Sequence, residues 1–358
     1  MSESMYDCYT SQFACMRNIL LTRKELLSAF VEFYKRAAPD RVYLAGSGSS
    51  YNACGTAAPF MEKLLGVEVT PVASSTVGKV YGKRPLVIAV SQSGRSTNTL
   101  QAIKGLKEAG VAVVTLTDPL DTPVGGSGDL AVQLAANNEL VGPKTRGYTG
   151  TILTLHLMAL EAGLDCAAID KAGYERVIAA YAKVCEQEQA FLTTCQDFYD
   201  AHFSDLKNAR AYIFSGKGAD AMTARESALK VLETLCFPAL GYEYEEVLHG
   251  PLCCVDESLA LFLYLSHDED KARMLKTADM IGRITPNCYI ITADALVKGE
   301  KVLTLPASDS IDTTVLTYIL FSQLISAKLT QDLGRTRHPG VKTIFESMGT
   351  KTPQSESC

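Results

Sequence analysis

Seven consecutive residues, Ser91-Gln92-Ser93-Gly94-Arg95-Ser96-Thr97, place four hydroxyls around a single glycine. They follow an apolar run, Leu86 to Val90, and precede a segment with helical periodicity. A helix amino terminus presents unpaired backbone N–H groups at the positive end of a dipole, so an anion such as phosphate is the ligand this turn suits. Ser91, Ser93, Ser96 and Thr97 would add hydroxyl donors, and Gly94 would let the backbone close around the anion. Helix capping alone explains one such hydroxyl, not four in seven residues. A second turn, Gly46-Ser47-Gly48-Ser49-Ser50, is rich in the same residue types and could line the same pocket. It lacks the third glycine of a dinucleotide fingerprint and the Gly-Lys-Ser/Thr of a P-loop.

A different chemistry gathers further along. Glu226, Lys230 and Glu233 are spaced by four and three, which puts them on one face of a helix expected over Ala219 to Leu235. A solvated, salt-bridged face is the ordinary explanation. The apolar neighbours Ala228, Leu229, Val231 and Leu232 argue instead for partial burial. Sixteen residues after Glu233 comes His249, in Leu248-His249-Gly250-Pro251, a turn ahead of an apolar strand. A histidine beside Gly-Pro can be a plain turn residue. Its nearness to the two glutamates favours a role in acid–base chemistry.

The elements that would position these groups alternate between short Val/Ile/Leu/Tyr runs and longer helical patterns, the mark of βαβ units around a parallel sheet. Strands are expected over Arg41 to Ala45, Val67 to Val72, Leu86 to Val90, Val111 to Thr117, Arg210 to Phe214, Ala260 to Leu265 and Cys288 to Thr292. Helices are expected over Ala53 to Leu65 and Thr97 to Ala109. The halves resemble each other in order. Arg41 to Gly48 matches Arg210 to Gly218 with one residue inserted, Leu86 to Ser91 matches Leu261 to Ser266, and Val113 to Asp118 matches Tyr289 to Asp294. The fold class expected is α/β, two tandem doubly wound parallel-sheet domains of flavodoxin-like type with a helical amino-terminal arm. Residues 1–37 form the arm, 38–165 the first domain, 166–204 linking helices, 205–330 the second domain and 331–358 a tail. Where the first half has its hydroxyl turn, the second has Ser266-His267-Asp268-Glu269-Asp270, whose carboxylates would repel a phosphate.

With 358 residues, 47% hydrophobic and 21% charged, the chain is long enough for two cores without disulfide or metal support. Its formal net charge of -6, with no dense basic run, disfavours nucleic acid as a partner. No stretch reads as a signal peptide or membrane span, so a cytoplasmic location is expected. The eleven cysteines are irregularly spaced, with no CxxC, and Cys253-Cys254 is the one adjacent pair. Reduced thiols are expected, and neither a metal site nor a cofactor.

Taken together, the Gly46 to Asn52 turn, the Ser91 to Thr97 loop, Glu139 to Thr149 before a helix, Arg225 to Glu233 and Leu248 to Pro251 resemble the sugar isomerase (SIS) domain family. More narrowly, they resemble double-SIS proteins related to the isomerase half of glucosamine-6-phosphate synthase, over about Arg41 to Asp332. The resemblance implies that Ser91, Gln92, Ser93 and Ser96 bind a sugar phosphate, with Gly46, Ser47, Ser49, Ser50, Thr97, Glu139 and Lys230 completing the substrate site. It implies that Glu233 moves protons between C1 and C2 of the open-chain sugar, supported by Glu226. His249 would assist ring opening by reaching into the site of a neighbouring subunit, in a homodimer with a shared active site. The family's tail lysine corresponds to Lys342 by position, with Lys351 as an alternative. Met1-Ser2-Glu3 does not match a glutaminase start, so glutamine-derived ammonia transfer is not expected of this chain. The implied function is isomerisation of a phosphorylated sugar, or loss of an amine from an aminosugar or fructosamine 6-phosphate. A non-catalytic sugar-phosphate sensor is the alternative.

Overall fold

Strand β3 (Pro85–Ser91) is buried along all but its first residue, as a strand covered on both faces must be. It lies inside a parallel sheet with β1 (Arg41–Gly46), β2 (Glu68–Ala73), β4 (Ala112–Thr117) and β5 (Leu130–Gln133), in the order β2-β1-β3-β4-β5. Around it are the helices α1 (Met5–Ala37), α2 (Ser49–Leu65), α3 (Thr97–Glu108) and α4 (Arg146–Asp165). Thr56 of α2 and Tyr148 of α4 share a buried hydroxyl contact of 3.0 Å. This computed structural model describes residues 3–266, 268–307 and 311–353. His267 and the last five residues of the expected tail therefore lie outside the described residues.

The second sheet contains β6 (Ala211–Gly216), β7 (Ala239–Glu243), β8 (Leu259–Leu265), β9 (Cys288–Thr292) and β10 (Val302–Thr304), ordered β10-β9-β8-β6-β7. Read from the other edge, this order is that of the first sheet. Helices α5 (Lys171–Glu186) and α6 (Glu188–Asn208) precede it, and α7 (Ala219–Thr234), α8 (Tyr244–Leu248) and α9 (Lys271–Gly282) belong to it. Both sheets are thus doubly wound α/β with flavodoxin-like strand order, as expected.

Three strands escaped the sequence reading. β5 has four residues behind a glycine-rich turn, β7 is interrupted by Gly241, and β10 has three residues. None is long enough to show alternation. The internal repeat is also displaced by one residue from the expected match. Ala45 lies opposite Ala89, and Ser215 opposite Leu263. With Gly46 matched to Gly216, Ser266 takes the place of Gln92 rather than Ser91.

The chain divides into two compact units. One is Ser11–Ala179 with the chain from His338 onward; the other is Ala180–Arg337 with the chain up to Thr10. Arm, linker and tail are thus parts of the two units. Side-chain bonds explain two of these assignments: Gln12 accepts from Thr149 at 3.2 Å, and Arg95 donates to the carbonyl of Thr352 at 3.0 Å.

Candidate functional site

In a sheet of order 2-1-3-4-5, connections leave in opposite directions from the two central strands, opening a crevice at their carboxyl ends. In the first unit these strands are β1 and β3, and both Gly/Ser turns sit at that switch point. Gly46 closes the first turn. A Cβ there would lie 2.7 Å from the backbone of Ser50 and Tyr51, so only glycine allows α2 to start so close to the strand. The turns are joined to each other, for Asn98 donates its side-chain amide to the Ser47 hydroxyl at 2.7 Å. Ser49 and Ser50 are buried at the start of α2.

Gly94 is the pivot of the second turn. Its φ is 63°, and a Cβ would fall 2.0 Å from Thr122 Oγ1 and 2.6 Å from Thr117 Oγ1. The turn closes through Gly94 N–H to Ser91 O (2.8 Å) and Val124 N–H to Gly94 O (2.9 Å). Ser96 occupies the cap position of α3 yet makes no side-chain bond to the helix amides. Capping therefore does not account for the Ser96 hydroxyl. Ser96 Oγ instead accepts from Ser91 Oγ at 3.2 Å.

Lys351 completes this cluster. Residues 349–352 run along the turn, forming an antiparallel bridge between Ser96 and Lys351. Thr352 N–H donates to Arg95 O at 2.8 Å, and the Thr97 hydroxyl donates to Gly349 O at 2.7 Å. This pairing places Lys351 Nζ 3.2 Å from Ser93 Oγ and 3.3 Å from Ser96 Oγ. Partial desolvation lowers the pKa of this ammonium, helped by the positive charges of Lys144 and Arg95. A bound phosphate dianion would remove that repulsion. Lys342, expected from its position, instead lies exposed on the helix Gly340–Ser347, 3.7 Å from Glu346.

Two other expected ligands face inward. Gln92 donates its amide to Gly147 O (2.7 Å) and Thr151 Oγ1 (3.1 Å), tying the turn to α4. The Glu139 carboxylate accepts from Thr145 N–H and hydroxyl, both at 2.9 Å, and from Gly147 N–H at 2.8 Å. It therefore neutralises the positive end of α4. Buried Arg146 donates to the carbonyls of Ala136 and Asn137, holding a segment in which Ala135, Asn137 and Asn138 have positive φ.

In the second unit, Glu226, Lys230 and Glu233 form the expected row on α7. Lys230 Nζ lies 3.3 Å from Glu226 Oε1 and 2.6 Å from Glu233 Oε2. Glu226 and Lys230 have no exposed side-chain surface, whereas Glu233 is 34% exposed. Burial alone would lower the lysine pKa. The two carboxylates outweigh it and hold the ammonium above its ordinary value. Glu233 is therefore a carboxylate at the surface with a buried cation behind it. His249 is exposed at the end of α8, just before Gly250 at φ 133°.

The switch point of this second sheet is furnished differently. Lys217 pairs with Asp270 at 2.6 Å and Glu269 at 3.4 Å. Asp220, at the start of α7, accepts from the Ser266 hydroxyl, and burial raises its pKa to about 7 despite that bond.

Comparison with known proteins gives a consistent picture. A model of the SIS domain matches residues 37–161. The isomerizing glutamine–fructose-6-phosphate aminotransferase of Pyrobaculum aerophilum is 26% identical over 294 residues, which are 80% of this chain and 48% of that protein. The chain thus spans about half the length of such a relative. Among solved structures, a Clostridium difficile protein whose name proposes phosphosugar isomerase activity superposes with a TM-score of 0.89 at 22% identity, covering 98% of this chain and 99% of the other. Glucosamine-6-phosphate deaminase from Thermotoga maritima superposes at 0.71 with 20% identity, over 92% and 96%. Among the described residues, no helix is long and apolar enough to cross a membrane, and no group of three or more His, Cys, Asp or Glu could hold a metal.

Proposed function

Residues 37–161 form a SIS domain, and from that premise we propose that the chain is an enzyme of phosphorylated sugars or aminosugars that works by proton transfer between C1 and C2. The observation that carries this reading is the convergence of Ser91, Ser93, Ser96 and Lys351 at the β1/β3 switch point. Hydroxyl donors, an ammonium and a helix amino terminus meet there, and a phosphate monoester is the group that satisfies all three. Lys351→Ala is expected to weaken phosphosugar binding by about tenfold, the loss of one charge-assisted bond. Titration calorimetry checks it, and unchanged affinity would remove the tail from the site.

The proton-moving group in this proposal is Glu233. Removing a proton from a sugar carbon requires an ionised carboxylate; returning it at the neighbouring carbon makes the same group an acid. Lys230 holds Glu233 in place through their 2.6 Å ion pair, and Glu226 lies against the same ammonium at 3.3 Å. His249, exposed and next to Gly250 at φ 133°, is assigned to ring opening. A homodimer with a shared site belongs to the same proposal. Isomerisation and amine loss begin with the same proton abstraction, and the Thermotoga relative in fold is named for the second.

The test is incubation with a panel of 6-phosphorylated sugars, aminosugars and fructosamines in deuterated water. NMR would follow exchange at C1 and C2 and release of amine. Exchange that Glu233→Gln abolishes, with binding retained, supports the reading. Binding without exchange on any member would identify a sensor instead.

A further inference from the structure

Cys253 and Cys254 are adjacent in the chain, both exposed, and both in the single 3-10 turn Pro251–Cys254 that follows His249. They differ from the buried cysteines. Burial pushes the thiol of Cys195 up to about 12, and likewise that of Cys288, which keeps those sulfurs inert. Cys253 and Cys254 are instead open to solvent and to a dissolved oxidant. In the reduced protein Cys254 Sγ donates to Pro251 O at 2.9 Å, a bond back onto the turn that closure with Cys253 would have to break. The turn itself is thin, held by Cys253 N–H to Gly250 O (2.8 Å) and Val255 N–H to Leu252 O (3.2 Å).

We propose that Cys253-Cys254 is a reversible dithiol–disulfide site whose closure rebuilds the turn that follows His249. The oxidant is a hydroperoxide. One thiolate attacks the peroxide oxygen, giving a sulfenic acid and releasing water or an alcohol. The neighbouring thiol then attacks that sulfur, forming the S–S bond and expelling water, so two thiols lose two hydrogens and the peroxide is reduced. Adjacent Cα atoms are about 3.8 Å apart across a trans peptide. Ordinary disulfides span roughly 4.4 to 6.8 Å, so a bridge here would carry strain and be easily reduced. It would also demand backbone torsions incompatible with the 3-10 turn. The Cys253 and Val255 amide bonds would open, and Gly250, at φ 133°, would be the joint through which His249 moves.

The test uses the full chain treated with one equivalent of hydrogen peroxide. The peptide spanning 253–254 should lose two hydrogens by mass, and dithiothreitol should restore it. Amide exchange at Cys253 and Val255 should accelerate about tenfold in the oxidised form. Cys253→Ser and Cys254→Ser should each abolish the mass loss. Oxygen addition at these cysteines, a disulfide between two copies, or oxidation that leaves amide exchange unchanged would each overturn the proposal. These readouts need no sugar, so they are independent of the proposed enzymatic activity.

Discussion

Lys230 is a cation with no exposed surface, and it stays ionised because a carboxylate lies on either side of it along α7. Removing the lysine would take away the cation that lies 3.3 Å from buried Glu226, and breaking a buried ion pair from one side typically costs about 3–5 kcal/mol. Lys230→Met should therefore lower the urea midpoint sharply, and Glu226→Gln added to it should recover part of the loss. Asp220 poses the opposite case, a buried acid held near a pKa of 7 against an ordinary 3.8. Below about pH 4 it is neutral whether folded or unfolded. From there to pH 7 the unfolded chain ionises while the folded protein does not, so stability falls as pH rises. Above 7 the penalty is constant, on the order of 4 kcal/mol at most. Asp220→Asn should flatten that segment of the stability curve, as measured by urea unfolding at pH 5 and pH 8. An equal pH slope in both proteins would place the titration elsewhere.

At the level of elements, the hydroxyl turn depends on its glycine more than on its serines. Gly94→Ala would force φ near 63° on a residue with a side chain and drive a methyl into Thr122 and Thr117. Destabilisation of roughly 1–3 kcal/mol is expected, with phosphate binding lost even where the protein still folds. Calorimetry on the folded variant separates the two effects. The turn's second support is the 349–352 segment, and its role was only partly legible. Gly349-Thr350-Lys351 offered no strand pattern, and one bridging residue with a few tail–loop bonds is too short a signal for periodicity. Gln92 and Glu139 show the reverse situation. The family resemblance implied a ligand role for both, and the structure shows each bonded to Gly147 of α4, a contact set by rotamers that sequence does not encode.

Across the whole molecule, one strand order serves two chemistries. The first switch point presents hydroxyls and Lys351. The second presents Asp220, Glu269 and Asp270 with Lys217 already engaged. Inorganic phosphate should therefore slow amide exchange across residues 91–97 and leave residues 266–270 unaffected. Protection at both turns would refute this division of labour.

The chain's own pattern determined the architecture, since β3 is apolar up to Ser91 and β8 along its whole length, runs that a parallel sheet covered on both faces buries. It also determined the candidate groups, because the spacing of Glu226, Lys230 and Glu233 fixes one helix face whatever surrounds it. Contacts decided the rest. Which lysine meets the hydroxyls, where Gln92 and Glu139 point, and how deeply Lys230 lies are set by segments distant in sequence. Periodicity reports only neighbours within a turn or two, so packing alone brings Lys351 to Ser93 across 258 positions of chain.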